Sequence, residues 1–224
     1  MKGLLGVLFA GGRGTRLGQI TQYVSKPFVP AYDRPVFLYP LAQLRQCSSI
    51  EEIVILTNTD NDQTMRKAGY RTIVQDDAQV HDMWSGLRYL RGALPAEGDA
   101  VLMPCDNVSE ISVDALVESF RSGDFDVAFS VMPVGDRKKL TGMGVYDPSS
   151  RRVCYKPSAP PSNLGVIAPY VIRGGFDPGP ISEAEAFNQG RTVVREYNGP
   201  WFDVGDPDTL LDCSVYLHER GRSA

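Results

Sequence analysis

From Ala10 to Pro27 the chain reads AGGRGTRLGQITQYVSKP, with Gly11, Gly12 and Gly14 around Arg13, then Arg16, and Lys26 just before a proline. Glycines let backbone N–H groups approach an anion closely, Arg16 offers a planar fork for two phosphate oxygens, and Lys26 a compact charge. This predicts a phosphate cradle; the plain alternative is a tight glycine turn between a strand and a helix. Two well-known phosphate loops do not fit. Counting from Gly12 and Gly14, the third glycine of GxGxxG falls on Leu17, which also disfavours an NAD-type oxidoreductase, and GK[ST] is missing. Farther on, Asp106 in MPCDN and Asp203 in WFDVGD are carboxylates of the kind that together hold a hard cation such as Mg²⁺ against phosphate oxygens. Each alone would serve equally well as a turn or helix cap, and Asp206 is better suited to capping the last helix.

These residues need elements to position them. Short β-rich runs alternate with helical segments: GLLGVLFA, the helix VFLYPLAQLRQC, the strand EEIVILTN, a strand in YRTIVQ, the helix HDMWSGLRYLRGAL, the strand DAVLMPCDN, the helix VDALVESFRSG and the strand DVAFSVMPV. That alternation predicts a mostly parallel sheet covered by helices on both faces, with the glycine loop at a strand's carboxyl end, where open α/β sheets bind ligands. From about Leu140 the texture changes: GMGVYDPSSRRVCYKP reads as a hairpin turning at Asp147 to Ser150, and SNLGVIAPYVI as another strand. The end adds a strand at TVVREY, a loop starting near Trp201, and a final helix capped by Asp206 or Asp208.

The 224 residues fit one medium domain with a sheet buried on both faces. The apolar opening MKGLLGVLFAGG runs into the glycine loop without a cleavage spacer, so a buried first strand explains it better than a signal peptide. No apolar run reaches the ~18 residues of a membrane helix. Cys47, Cys105, Cys154 and Cys213 are scattered, which suggests reduced thiols and a cytoplasmic home, and the two histidines make no metal cluster. A net charge of −4 argues against nucleic-acid binding through the bulk field. The expected ligand is a small molecule gripped by local cations.

GGRGTRL followed by SKPFVPAYDRPVFLYPL resembles the opening of the sugar-1-phosphate nucleotidyltransferases, most of all the short form of the glucose-1-phosphate thymidylyl- and uridylyltransferases. MPCDNV, GMGVYDPSSRRVCYKPSAPPSNLGVIAPYVI and WFDVGDPDTLLDCS continue the resemblance in the family's order, across nearly the whole chain. The resemblance implies a Rossmann-like, mostly parallel mixed α/β sheet flanked by helices, with a small β-rich substrate subdomain. It implies one domain over 1–224, about 1–135 holding the nucleotide and about 136–224 the sugar phosphate and the closing helix. It implies transfer of a nucleotidyl group from an NTP, dTTP or UTP favoured, to a sugar 1-phosphate, releasing pyrophosphate with Mg²⁺ as cofactor.

Carried over residue by residue, the resemblance gives Gly11, Gly12, Gly14, Thr15 and Arg16 to the nucleotide, Arg16 to the departing pyrophosphate, and Lys26 to the α-phosphate. It gives Gln75 to the base, Lys156 to the acceptor phosphate, Asn107, Gly144, Val166 and Glu183 to the acceptor, and Asp106 and Asp203 to the metal. Gln75 could equally be an exposed strand-end residue, Gly144 a hairpin glycine, and Asn107, Val166 and Glu183 cap, core or surface residues. The chain departs from the pattern at QDDAQVHDMWSGL, where the family has a glycine-containing base loop, and at Tyr155, which replaces a glutamate that contacts sugar hydroxyls. Ile167 and Ala168 also differ. Trp84 reads as core rather than a stacking platform, and Cys105 as a buried thiol. The departures leave room for CTP, GTP or a non-sugar phosphate, and a silent nucleotide-sugar-binding module is the reading from another class. Longer members carry C-terminal helices with subunit contacts or an effector site, so that site is expected to be absent, while a homo-oligomer remains open.

Overall fold

In the computed structural model, residues 3–94, 98–177 and 179–223 are described; Met1 and Lys2, the start of the apolar opening, lie outside them. The first half comprises β1 (Leu4–Ala10), α1 (Ile20–Tyr23), the short strands β2 (Pro30–Ala31) and β3 (Arg34–Pro35), α2 (Leu38–Gln46), β4 (Ile50–Thr57), α3 (Thr59–Lys67), β5 (Thr72–Val74), α4 (Met83–Ala93) and β6 (Ala100–Pro104). The second comprises β7 (Asn107–Ser109), α5 (Val113–Arg121), β8 (Val127–Pro133), α6 (Arg137–Leu140), β9 (Gly144–Asp147), β10 (Arg152–Tyr155), β11 (Leu164–Ile172), α7 (Glu183–Gln189), β12 (Thr192–Glu196), β13 (Trp201–Asp203) and α8 (Pro207–Ser223).

β6, β1, β4 and β5 pair in parallel, as the βα alternation predicts. β11 is antiparallel to both β6 and β8, and β12 returns parallel to β8, which closes a nine-stranded mixed sheet. β11 divides one of its edges between two partners. β6 lies opposite Tyr170–Ile172 and β9 opposite Leu164–Gly165, so a gap opens along Val166 to Pro169. The β9–β10 hairpin thereby continues the main sheet and faces the end of β6 across that gap.

β1 shows why its sequence is apolar throughout. Leu5, Val7 and Phe9 join one core with Trp84, Leu87 and Phe187, while Leu4, Leu8 and Ala10 join a second with Leu41, Met65 and Phe120. Alternate side chains are buried on both faces. Helix α4 packs closely on β1 because Gly86 has no side chain: a Cβ there would lie 2.5 Å from Phe9 Cε1. Trp84, 1% exposed, belongs to that core, with its indole N–H donating to Gly179 O, as its helical position predicts.

Four features depart from the sequence expectation. α3 is polar, TDNDQTMRK, and hides its periodicity, but Asn58 caps it by accepting from Asn61 N and only Asn61 and Met65 are buried. α7 carries a complete Ser182/Glu185 capping box that periodicity alone passes over. The loop expected near Trp201 is instead the strand β13, antiparallel to β7, while the single strand expected through Asn107 breaks at Cys105–Asp106. The final helix is capped by Asp206, which accepts from Thr209 N at 2.8 Å.

Candidate active site

β1 ends at Ala10 and the glycine loop leaves from its carboxyl end. Leu17, in the place where a dinucleotide fingerprint would have glycine, is 1% exposed and pins the loop to the core. Gly14 adopts φ 67°, a left-handed conformation that suits glycine, and a Cβ there would also run into Lys26. Gly11 lies under the Gln75 amide, so that a Cβ would stand 2.0 Å from Gln75 Oε1. Gly12 differs: no atom lies within 4 Å of the place its Cβ would take. Protein packing does not require a glycine at position 12, and the space beside it is open. Thr15 and Arg16 are exposed beside it.

Asp106 follows β6 and Asp203 ends β13. The Asp203–Asn107 pairing of β13 with β7, together with Val204 N donating to Asp106 O at 2.9 Å, sets the two carboxylates side by side. Each faces a cation from the glycine-loop segment. Lys26 Nζ donates to Asp106 Oδ2 in a pair whose side chains are only 11% and 13% exposed. Arg16 Nη2 lies 3.7 Å from Asp203 Oδ2, with the guanidinium resting on Gly205, where a Cβ would lie 2.5 Å away.

Burial alone would pull the Lys26 ammonium down, but the charge and hydrogen bond of Asp106, helped by Cys105 and Asp203, hold it above its ordinary value. The Asp203 carboxyl is pushed up to about 6, first by burial and next by the charge of Asp106, against the pull of Lys26 and Arg16. Two adjacent carboxylates offer the hard oxygens that suit Mg²⁺, which binds through one or two carboxylates plus substrate phosphates. Among the described residues no group of three His, Cys, Asp or Glu forms a metal site. Cys105 is buried, and burial, followed by the charge of Asp106, pushes its thiol up, away from the thiolate form.

A cleft of about 250 Å³ is lined by Gly11, Gly12, Lys26, Gln75, Asp106 and the segment Val80 to Met83. Two hollows of about 410 Å³, along the outer side of α4 and beside Ser109–Asp114, include neither the glycine loop nor Asp106 or Asp203.

Asn107 lies directly behind the acidic pair. It is 6% exposed, its Nδ2 donates to Asp106 Oδ1 at 3.2 Å, and its Oδ1 accepts from Trp201 Nε1 at 3.2 Å, so it braces Asp106 from behind. Across the gap in the β11 edge, β9 pairs Gly144 with Tyr155, and a Cβ on Gly144 would lie 3.4 Å from Val166 Cβ. These three therefore form one row across the sheet. Val166 is 7% exposed, whereas Tyr155 is 56% exposed with the Lys156 ammonium 4.9 Å from its ring centroid. Lys156 holds φ 45°, outside the usual range for a side-chain-bearing residue.

Sequence reasoning missed Tyr170. Its phenol is 6% exposed, and burial together with the nearby Glu183 carboxylate pushes it well above its ordinary value; Asp203 and Tyr155 act on it more weakly. Glu183 opens α7, and burial together with the charge of Asp82 pushes its carboxyl up to about 7. Gly205, though it lies in the WFDVGD segment, and Asp77 were not singled out.

A MobA-like NTP transferase domain matches residues 6–157. The chain belongs to that family. It is 27% identical to a low-salt glycan biosynthesis nucleotidyltransferase of Haloferax volcanii, over 96% of this chain and 66% of that protein. It therefore spans just under two thirds of that relative's length. It is 26% identical to a glucose-1-phosphate thymidylyltransferase of Mycobacterium tuberculosis, over 97% of this chain and 83% of that one. A Bacillus anthracis chain described as a glucose-1-phosphate thymidylyltransferase, solved with sucrose, superposes with a TM-score of 0.81 at 21% identity, over 95% of this chain and 94% of that one. That likeness establishes the shared fold, a mixed α/β sheet flanked by helices. No helix among the described residues is long and apolar enough to cross a membrane.

Proposed function

We propose that this protein transfers a nucleotidyl group from an NTP, with UTP or dTTP favoured, to a sugar 1-phosphate, releasing pyrophosphate. The observation that carries this is the convergence of two cation–carboxylate pairs, Lys26–Asp106 and Arg16–Asp203, beside a glycine at position 12 that faces open space. An oxygen of the acceptor phosphate attacks the α-phosphorus, a new P–O bond forms, and the bond to the β-phosphate oxygen breaks with its electron pair leaving on pyrophosphate. Positioning and charge neutralisation dominate such a step. Arg16, exposed and 3.7 Å from Asp203, meets the charge that grows on the leaving group. Lys26, anchored by Asp106, holds the α-phosphate, and Lys156 brings the acceptor phosphate into line. Mg²⁺ held by Asp106 and Asp203 would neutralise phosphate oxygens and so lower the charge barrier between two polyanions. Glu183 and Tyr170 would take acceptor hydroxyls, with Tyr155 supplying an apolar face.

The test is a matrix of UTP, dTTP, CTP and GTP against several sugar 1-phosphates with Mg²⁺, following pyrophosphate. Release that requires both substrates supports the reading. Absence of release with every pair, from protein that is folded, refutes it. Support for the pyrimidine rests on Gln75, whose amide sits at the rim of the cleft above Gly11. Placement in the cytoplasm and a second copy of the chain as partner belong to the same proposal.

A further inference from the structure

Arg13 is the one residue of GGRG with no part in the phosphate cradle, and the structure gives it a different task. Its Nη2 donates to Asp77 Oδ2 at 3.2 Å, which ties the glycine loop to the loop after β5 across the cleft mouth. The other oxygen, Asp77 Oδ1, accepts from Gln75 Nε2 at 2.8 Å. Gln75 is otherwise fixed at its backbone, where its N–H donates to Thr57 O at 2.7 Å, and is limited below by Gly11. With the amide oxygen over Gly11, the side-chain bond to Asp77 sets the sense of the amide. An ionised aspartate only accepts, so Nε2 must point toward Asp77 and Oε1 away from it. The flipped amide would set an oxygen against a carboxylate.

That sense has a chemical consequence. Uracil and thymine offer a keto oxygen beside a ring N–H, whereas cytosine offers an amino group beside an unprotonated ring nitrogen. An amide held one way round matches one of these orders; an amide free to flip matches both. We infer that Asp77, itself held by Arg13, is a positioning residue that sets base preference by fixing which way the Gln75 amide faces. The inference rests on Gln75 reading the base, as in the proposed function. Arg13 and Asp77 are 78% and 52% exposed, and a pair so open to solvent adds little to stability. Folding should therefore be untouched by changes that alter selectivity.

The experiment measures equilibrium affinities of UTP and CTP for the full chain by calorimetry, which needs no turnover. Asp77→Asn can face Gln75 with either oxygen or NH₂, and should move the UTP-to-CTP affinity ratio toward one by about three- to tenfold, the worth of one hydrogen bond. Arg13→Ala should move it the same way by less, and Arg13→Lys, which keeps the ion pair, should restore it. Thermal midpoints should stay at the wild-type value. An unchanged ratio in Asp77→Asn overturns the inference. If Gln75→Ala loses the ratio while Asp77→Asn keeps it, base reading by Gln75 stands and the clasp alone fails. If Gln75→Ala keeps the ratio, or the wild-type protein binds both nucleotides equally or neither, both fall together.

Discussion

Replacing Glu183 by Gln should make the protein more stable at neutral pH, and the structure fixes the pH range over which the gain appears. Glu183 begins α7, partly buried, with the Tyr170 phenol nearby and Asp82 as a charged neighbour of like sign. Burial and Asp82 lift its carboxyl from 4.5 to about 7. The folded state therefore binds this proton more tightly than the unfolded chain does. The resulting stability is fully present below pH 4.5 and is lost as pH rises through about 7. A shift of that size corresponds to about 3 kcal/mol at most. The N-terminal turn of α7 favours the anion, so about 2 kcal/mol is the better figure. Gln keeps an oxygen for Tyr170 and carries no charge. Urea unfolding of both proteins at a series of pH values should show Glu183→Gln gaining about 2 kcal/mol on the wild type from acid to mildly alkaline pH, with most of the change before pH reaches about 7. Stability curves that run parallel across that range would refute the reasoning. Asp82→Asn, which can still cap α4, should give part of the same gain by relieving the like charge.

Lys26→Met should cut turnover by about 10²–10³-fold and, by stranding Asp106, cost about 3 kcal/mol of stability. Adding Asp106→Asn should restore most of that stability but none of the turnover, which separates the ion pair's structural role from its chemical one in a melting and activity comparison. Gly12→Ala should fold with stability within about 0.5 kcal/mol of the wild type, since its Cβ meets nothing within 4 Å, yet weaken NTP binding at least about tenfold by filling the cradle. Equal NTP affinity in Gly12→Ala would show that the cradle is not used.

The parallel half of the sheet and the glycine loop were legible in the sequence because local signals sufficed: an apolar strand buried on both faces, then glycines, then Leu17. Lys26 and Asp106 were legible as types, but their pairing joins residues 80 apart and depends on where β6 stops. Asp203 shows the limit more clearly. Its place beside Asp106 is made by the pairing of two three-residue strands, β7 and β13, too short to declare themselves by alternation. Asn107 carried a family expectation of ligand contact; its amide also ties the indole of Trp201 to the carboxylate of Asp106, a tertiary bracing with no local signal. The role of Tyr170 follows from β11 splitting its edge between β6 and β9, a tertiary fact with no local signature. α7 was readable from Ser182 and Glu185, because a capping box is a local pattern.

The central claim is direct displacement at the α-phosphorus by the acceptor's own phosphate oxygen at the Lys26–Asp106 and Arg16–Asp203 pairs. The most direct measurement uses sugar 1-phosphate carrying ¹⁸O in its non-bridging phosphate oxygens, unlabelled NTP, and mass spectrometry of both products. All the label should be found in the nucleotide sugar, with unlabelled pyrophosphate formed in equal amount. Labelled pyrophosphate, or pyrophosphate released without the acceptor, would contradict the account.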